Sequence, residues 1–305
     1  MPNTPTVDIS TAKIGFIGAG KITQALIHGF VRYGKVEASR IHVSAPTTKN
    51  LERLKQQYSG LHITRRNLDI FRDYNCTYIF IAVCGSAIRE CFRKATDNNG
   101  RPFPLTYQYI PYARKRQFIF SLVNGFTIKD ISQCLLNPEH PEKYLIEMHR
   151  IVVSCCRTAR LGICAIDCCN PYSKLPLPIM GMLTEVAALE YIHEQHMDAT
   201  CALLGSGLAF SYYFIGAMID GARKSGLSMD KATKLTALIC QSVADCLLDP
   251  LICPTEQWDG ICAPDIPAVY GIQLMDKADC SSAVAEALAA AQERAAKLAK
   301  EGVKN

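Results

Sequence analysis

The stretch "AKIGFIGAGKITQALIHGFVRYG" constrains this chain more than any other. A short apolar run, Ile14 to Ile17, reads as a buried strand and runs straight into a glycine turn. Beyond the turn, Ile22, Leu26 and Phe30 recur at helical spacing and are expected to share one buried face. A strand that turns through glycine into a helix belongs to a parallel sheet with crossover helices. Gly18 permits the tight turn and Gly20 lets backbone approach a pyrophosphate, while the helix N-terminus supplies amides and positive dipole. Ala19, Lys21 and Ile22 stand in the same turn. The third position of the glycine pattern is Thr23, which predicts a helix set slightly further from its strand. Such a turn also occurs as plain structure, but its strand–turn–helix setting favours dinucleotide binding.

The rest of the first half repeats the alternation. "RIHVSAP", "LHIT", "CTYIFIAV", "FIFSLV", "MHRIVVS" and "GICAID" read as strands, with helical segments among them. "CTYIFIAV" is apolar throughout, as a parallel strand covered on both faces tends to be. A segment rich in Pro, Gly and Tyr, residues 97–117, reads as a surface insertion. Residues 1–193 are therefore expected to form an α/β domain of Rossmann type, a doubly wound sheet. From residue 194 the strands stop, and the apolar period is helical to the end, which predicts an all-α domain over 194–305. Gly226 and the stretch from Ser228 to Asp230 punctuate its first two helices. The apolar faces of these helices exceed what they bury alone, which predicts a homodimer through the helical domain, or a larger assembly.

Composition excludes other classes. The formal charge of +5 over 305 residues is spread thinly and gives no footprint for nucleic acid. No apolar run is read as a membrane span. "MPNTPTVDIS" shows no signal or transit pattern, which predicts a cytoplasmic protein. The 15 cysteines then stay reduced, and they read as packing, with no metal site.

The second strand ends "HVSAPTTKN", with Ser44 where an NAD-binding domain carries a carboxylate. Without that charge a 2′-phosphate is not repelled, and Ser44, Thr47, Thr48 and Lys49 are candidates to hydrogen-bond it. NADPH is the expected cofactor and NADH the alternative; these residues also read as solvated turn positions.

The order of segments resembles the pyrroline-5-carboxylate reductases, over nearly the whole chain. "IGFIGAGKITQALIHGF" is similar to the family's opening, and "SAPT" to its turn after the second strand. "DATCALLGSGLAFSYYFIGAMIDGARKSGL" resembles the signature opening its helical domain, with Gly205, Ser206, Gly207, Ala209, Asp220, Gly221, Gly226 and Leu227 matching. The resemblance implies hydride transfer from NADPH to a cyclic imine, as in proline biosynthesis, with a partner subunit helping to close the site. It adds Asn67, Ala82, Val83, Cys84, Asn124 and Gly125 to the cofactor contacts. It also points to Ser206, Asp265 and Ala268 at the substrate end. There the chain departs from the pattern: Ala263 and Ala268 stand where the family has hydroxyls, and Asp265 and Ile266 replace two glycines. Pro267 removes an amide donor, and Asp265 would repel a carboxylate. An altered substrate is expected, and a non-catalytic dinucleotide-binding homologue is the alternative. Oxidoreductases of the F420 type share only the nucleotide half.

Overall fold

A computed structural model describes residues 12–71, 73–93, 116–135, 146–154, 162–167, 175–262 and 266–304. Eight strands form one sheet: β1 (Ile14–Ile17), β2 (Ile41–Ser44), β3 (His62–Thr64), β4 (Tyr78–Ile81), β5 (Gln117–Ser121), β6 (Ile146–Ser154), β7 (Gly162–Asp167) and β8 (Ala187–Ile192). Their order is β3-β2-β1-β4-β5-β6-β7-β8, and the pairs from β3 through β6 are all parallel. Strand order therefore reverses beside β1, the switch point where open α/β sheets bind ligands. The helices α1 (Lys21–Arg32), α2 (Thr48–Gln57), α3 (Asn67–Phe71), α4 (Gly85–Arg93), α5 (Ile128–Leu135) and α6 (Leu177–Val186) alternate with the strands.

Two features depart from the expected pattern. β7 runs antiparallel to β6, and β8, missed in the sequence, pairs in parallel with β7. Its residues alternate only partly between buried and exposed, so the strand carries no clean period of two. The insertion read over 97–117 lies outside the described residues except for Arg116 and Gln117. Gln117 opens β5 and is buried, its amide donating to the Cys76 carbonyl at 3.1 Å.

The core is built on an aromatic ladder. Phe16, Phe80, Phe120 and His149 lie in register across β1, β4, β5 and β6. Their rings stack at centroid distances of 5.1, 5.0 and 5.6 Å in turn. At the end of the ladder His149 Nε2 lies 3.1 Å from Glu147 and Nδ1 lies 3.4 Å from Asp167. Burial alone would lower the imidazole pKa, but Asp167 and then Glu147 outweigh it and raise it from 6.5 to about 9. A folded-state pKa above the unfolded one stabilises fully below about 6.5, and that contribution is lost as pH rises through about 9. Urea midpoints should therefore fall between neutral pH and pH 9, and His149→Gln should flatten that slope. An unchanged slope in the variant would contradict the assignment.

The remaining helices are α7 (Met197–Lys224), α8 (Met229–Leu248), α9 (Pro254–Ile261), α10 (Pro267–Lys277) and α11 (Cys280–Lys304). Ser228 caps α8, accepting from the Lys231 amide at 3.4 Å, after a turn in which Gly226 has φ +100°. By its contacts the chain forms two compact units: residues up to Leu204 with those from Gln292 onward, and Gly205–Ala291. The first two turns of α7 go with the α/β unit because Met197 and Cys201 pack on Val152 and Ala165. Asp198 in the same turns pairs with the buried Arg150.

The second unit leaves much apolar surface bare. On α8, Leu235, Leu238, Ile239, Val243 and Leu247 recur at helical spacing and are all exposed. Tyr212, Tyr213 and Phe214 on α7 are exposed as well. Trp258, the chain's single tryptophan, sits half-exposed on α9.

Candidate cofactor site

The turn after β1 is fixed from both sides. The Gly18 amide donates to the Ser44 carbonyl at 2.8 Å, and the Ala82 amide donates to the Ile17 carbonyl at 2.8 Å. Gly18 has φ +104°, and a Cβ there would overlap the Ala82 backbone, lying 2.9 Å from its carbonyl carbon. Glycine is therefore required by conformation and by space. At Gly20, which precedes α1 with an extended backbone, an added Cβ would meet nothing within 4 Å. The space outside Gly20 is open. α1 begins there with no side-chain cap and no acidic residue in its first turn, so its leading amides lack partners within the helix.

Thr23 resolves the irregular third position of the glycine pattern. Its side chain is fully buried, and its hydroxyl donates to the Gly18 carbonyl at 2.8 Å. The hydroxyl thus braces the turn from inside. Close packing of α1 falls instead at Gly29, where a Cβ would come within 2.6 Å of Val186 on α6. Leu26 and Phe30 are buried as expected, but Ile22 is 40 % exposed. Ile22 sits in the first helical turn, above the core, and its apolar side chain is left beside the open end of the sheet.

The other expected cofactor positions lie at the same edge. Ala82, Val83 and Cys84 follow β4, with Cys84 exposed at the start of α4. Asn124 and Gly125 follow β5; Asn124 is exposed and Gly125 has φ +78°. Thr47 is exposed just before α2. Ser44 differs from expectation: it is fully buried, and its hydroxyl donates to Asn67 Oδ1 at 2.7 Å. Asn67 in turn donates from Nδ2 to the Cys91 carbonyl at 3.1 Å. Both side chains are engaged in tying the end of β2 to α4.

The cysteines divide by place. Cys76, Cys164 and Cys201 are buried in the core, and burial pushes the Cys76 thiol up to about 12. Cys84 and Cys253 are exposed, against the reading of the thiols as packing. Of the expected substrate positions, Ser206 and Ala268 fall in the second unit, on α7 and in the first turn of α10. Asp265 and Ala263 lie outside the described residues. Sequence reasoning missed the Arg150–Asp198 pair, whose members are distant in the chain, and the exposed Arg65 beside the end of β2. The doublet in "ITRRN" was the available signal for Arg65.

The sequence model for pyrroline-5-carboxylate reductase dimerisation matches residues 194–298. The helical half of the chain therefore carries the dimerisation domain of the pyrroline-5-carboxylate reductases. A second model, NADP oxidoreductase coenzyme F420-dependent, matches residues 13–102, in the strand-bearing half. Pyrroline-5-carboxylate reductase 3 of Danio rerio is 27 % identical over 299 residues, covering 98 % of this chain and 95 % of the relative. Pyrroline-5-carboxylate reductase 2 of Rattus norvegicus is 25 % identical over 277 residues, covering 91 % and 81 %. Among solved structures, the NADP-bound pyrroline carboxylate reductase of Plasmodium falciparum shares the fold with a TM-score of 0.72 at 19 % identity, over 95 % of this chain and 98 % of that one. The Coxiella burnetii pyrroline-5-carboxylate reductase does so at 0.71 and 20 %, over 94 % and 98 %.

Proposed function

We propose that this chain is an NADPH-dependent reductase acting on a C=N bond, of the pyrroline-5-carboxylate reductase type, with an altered substrate. The observation that carries the cofactor half is the Gly18–Gly20 turn, locked to β2 and β4 and open on its outer side. Gly18 to Ile22 would hold the diphosphate, and Ala82 to Cys84 with Asn124 and Gly125 would line the nicotinamide end. The bound cofactor supplies hydride. The chain's own work is orientation, exclusion of water and a hydrogen bond at the imine nitrogen, since a protonated imine is already electrophilic. Ser206, in the family-matching helical stretch, is the hydroxyl we assign to the substrate end.

The altered substrate follows from Ala263, Asp265, Pro267 and Ala268. They remove a donor and two hydroxyls and add a negative charge where a carboxylate would bind. A cyclic imine without a carboxylate, or with a cationic group, fits better. We further propose a cytoplasmic homodimer, or a larger assembly of dimers. Among the described residues one helix, Glu194–Lys224, is long and apolar enough to cross a membrane, contrary to expectation, and little of it is buried within the chain. Asp198 anchors its start to Arg150, and α8 carries an exposed apolar stripe of its own, for which a second copy is the cover we assign.

NADPH oxidation against cyclic imines with and without a carboxylate tests the reading. Turnover is expected, fastest on a substrate lacking the carboxylate. Thermal stabilisation by NADPH with no turnover across the panel would overturn the enzyme and leave a dinucleotide-binding homologue, the reading the altered loop also allows.

A further inference from the structure

Resting on the NADPH reading above, we infer that Arg65, from the end of the third strand, is the residue that discriminates NADPH from NADH, with Lys49 as its second cation. The register places it. Ser44 on β2 pairs with Thr64 on β3, and the Ala45 amide donates to the Thr64 carbonyl at 3.3 Å. Arg65 therefore follows directly beside Ala45 and Pro46, where the ribose-reading position of a dinucleotide fold lies. Ser44 itself is buried and bonded to Asn67, so it offers neither a carboxylate for a 2′-hydroxyl nor a free hydroxyl for a 2′-phosphate. The exposed groups at this strand end are Thr47, Thr48, Lys49, Arg65 and Arg66.

The two arginines have different employment. Arg66 Nε lies 3.5 Å from Asp69, and its amide donates to the Thr64 hydroxyl at 3.1 Å. The Thr64 hydroxyl in turn donates to Asp69. This local network consumes the nearby carboxylate and holds the backbone that carries Arg65. Arg65 and Lys49 make no ion pair among the described residues, and the next acid on α2, Glu52, is one turn into the helix. Two unpaired cations beside a strand end with no free carboxylate favour a phosphate dianion over a hydroxyl. A guanidinium adds paired, directional donors to that charge.

The test is binding of NADPH and NADH to the full-length protein and to Arg65→Ala, Lys49→Ala and the double variant, by calorimetry. The wild type is expected to prefer NADPH by more than tenfold. Arg65→Ala should weaken NADPH by about tenfold to a hundredfold while changing NADH little. Lys49→Ala should do less, and Arg65→Glu should reverse the preference. The NADPH affinity of the wild type should fall with salt more steeply than that of Arg65→Ala. Unchanged NADH binding reports that the variants remain folded. A wild type that binds neither coenzyme sinks the cofactor reading itself. A wild type preferring NADPH whose Arg65 variants keep that preference overturns this inference alone.

Discussion

Gly18→Ala should abolish NADPH binding, weakening it at least about a hundredfold, and should cost more than about 3 kcal/mol of stability. Two penalties act together. An L-residue at φ +104° is strained by roughly 1–2 kcal/mol, and the new methyl would overlap the Ala82 backbone. Neither partner has an easy escape, because the Gly18 and Ala82 amides are both committed to neighbouring strands. Gly20→Ala is the informative contrast. Its φ of −73° suits alanine and its Cβ would stand in open space, so stability should change by less than about 0.5 kcal/mol. Its NADPH affinity should still fall, because the methyl occupies the approach to the diphosphate. Denaturant melts paired with calorimetry separate the two glycines. Equal stability loss in both variants would refute the division of roles.

Ile239→Glu should break the dimer. Ile239 is 52 % exposed at the centre of the α8 stripe, between Leu235 and Leu247. In a two-fold interface the substitution counts twice, and each copy would bury an unpaired carboxylate at several kcal/mol. Association should weaken at least about a thousandfold. By light scattering the wild type should show twice the chain mass of 33.6 kDa, or a multiple of that, and the variant a single chain or aggregate. A monomeric wild type would remove the second copy as the cover for this face. A variant that stays dimeric would place the interface elsewhere.

The sequence made some of this plain because the governing physics is local. Buried parallel strands such as Tyr78–Ile81 must be apolar on both faces, so they stand out as unbroken runs. The glycine turn announces itself because only glycine meets its conformation. Less was visible where the outcome depends on contacts distant in the chain. Ile22 fits the helical period of Leu26 and Phe30, yet it lies in the first turn, beyond the reach of the core. Ser44 reads as a phosphate candidate from its position, and position alone does not reveal that its hydroxyl donates to Asn67, 23 residues later. β8 shows neither an unbroken apolar run nor a clean alternation, so neither signature of a strand marks it in the sequence. Thr23 departed from the glycine pattern without harm because its hydroxyl finds the Gly18 carbonyl, a bond that spacing alone does not reveal.

The lone indole at Trp258 gives this molecule a built-in reporter with a narrow field of view. It sits half-exposed in the unit formed by Gly205–Ala291, and the strand-bearing unit has none. Intrinsic emission will therefore follow the fate of the helical segment, including any shielding when a second copy arrives. Loss of the sheet will pass unseen at those wavelengths and has to be followed by far-ultraviolet ellipticity. Unfolding curves from the two signals that fail to coincide would mark the helical segment and the sheet as separate cooperative blocks.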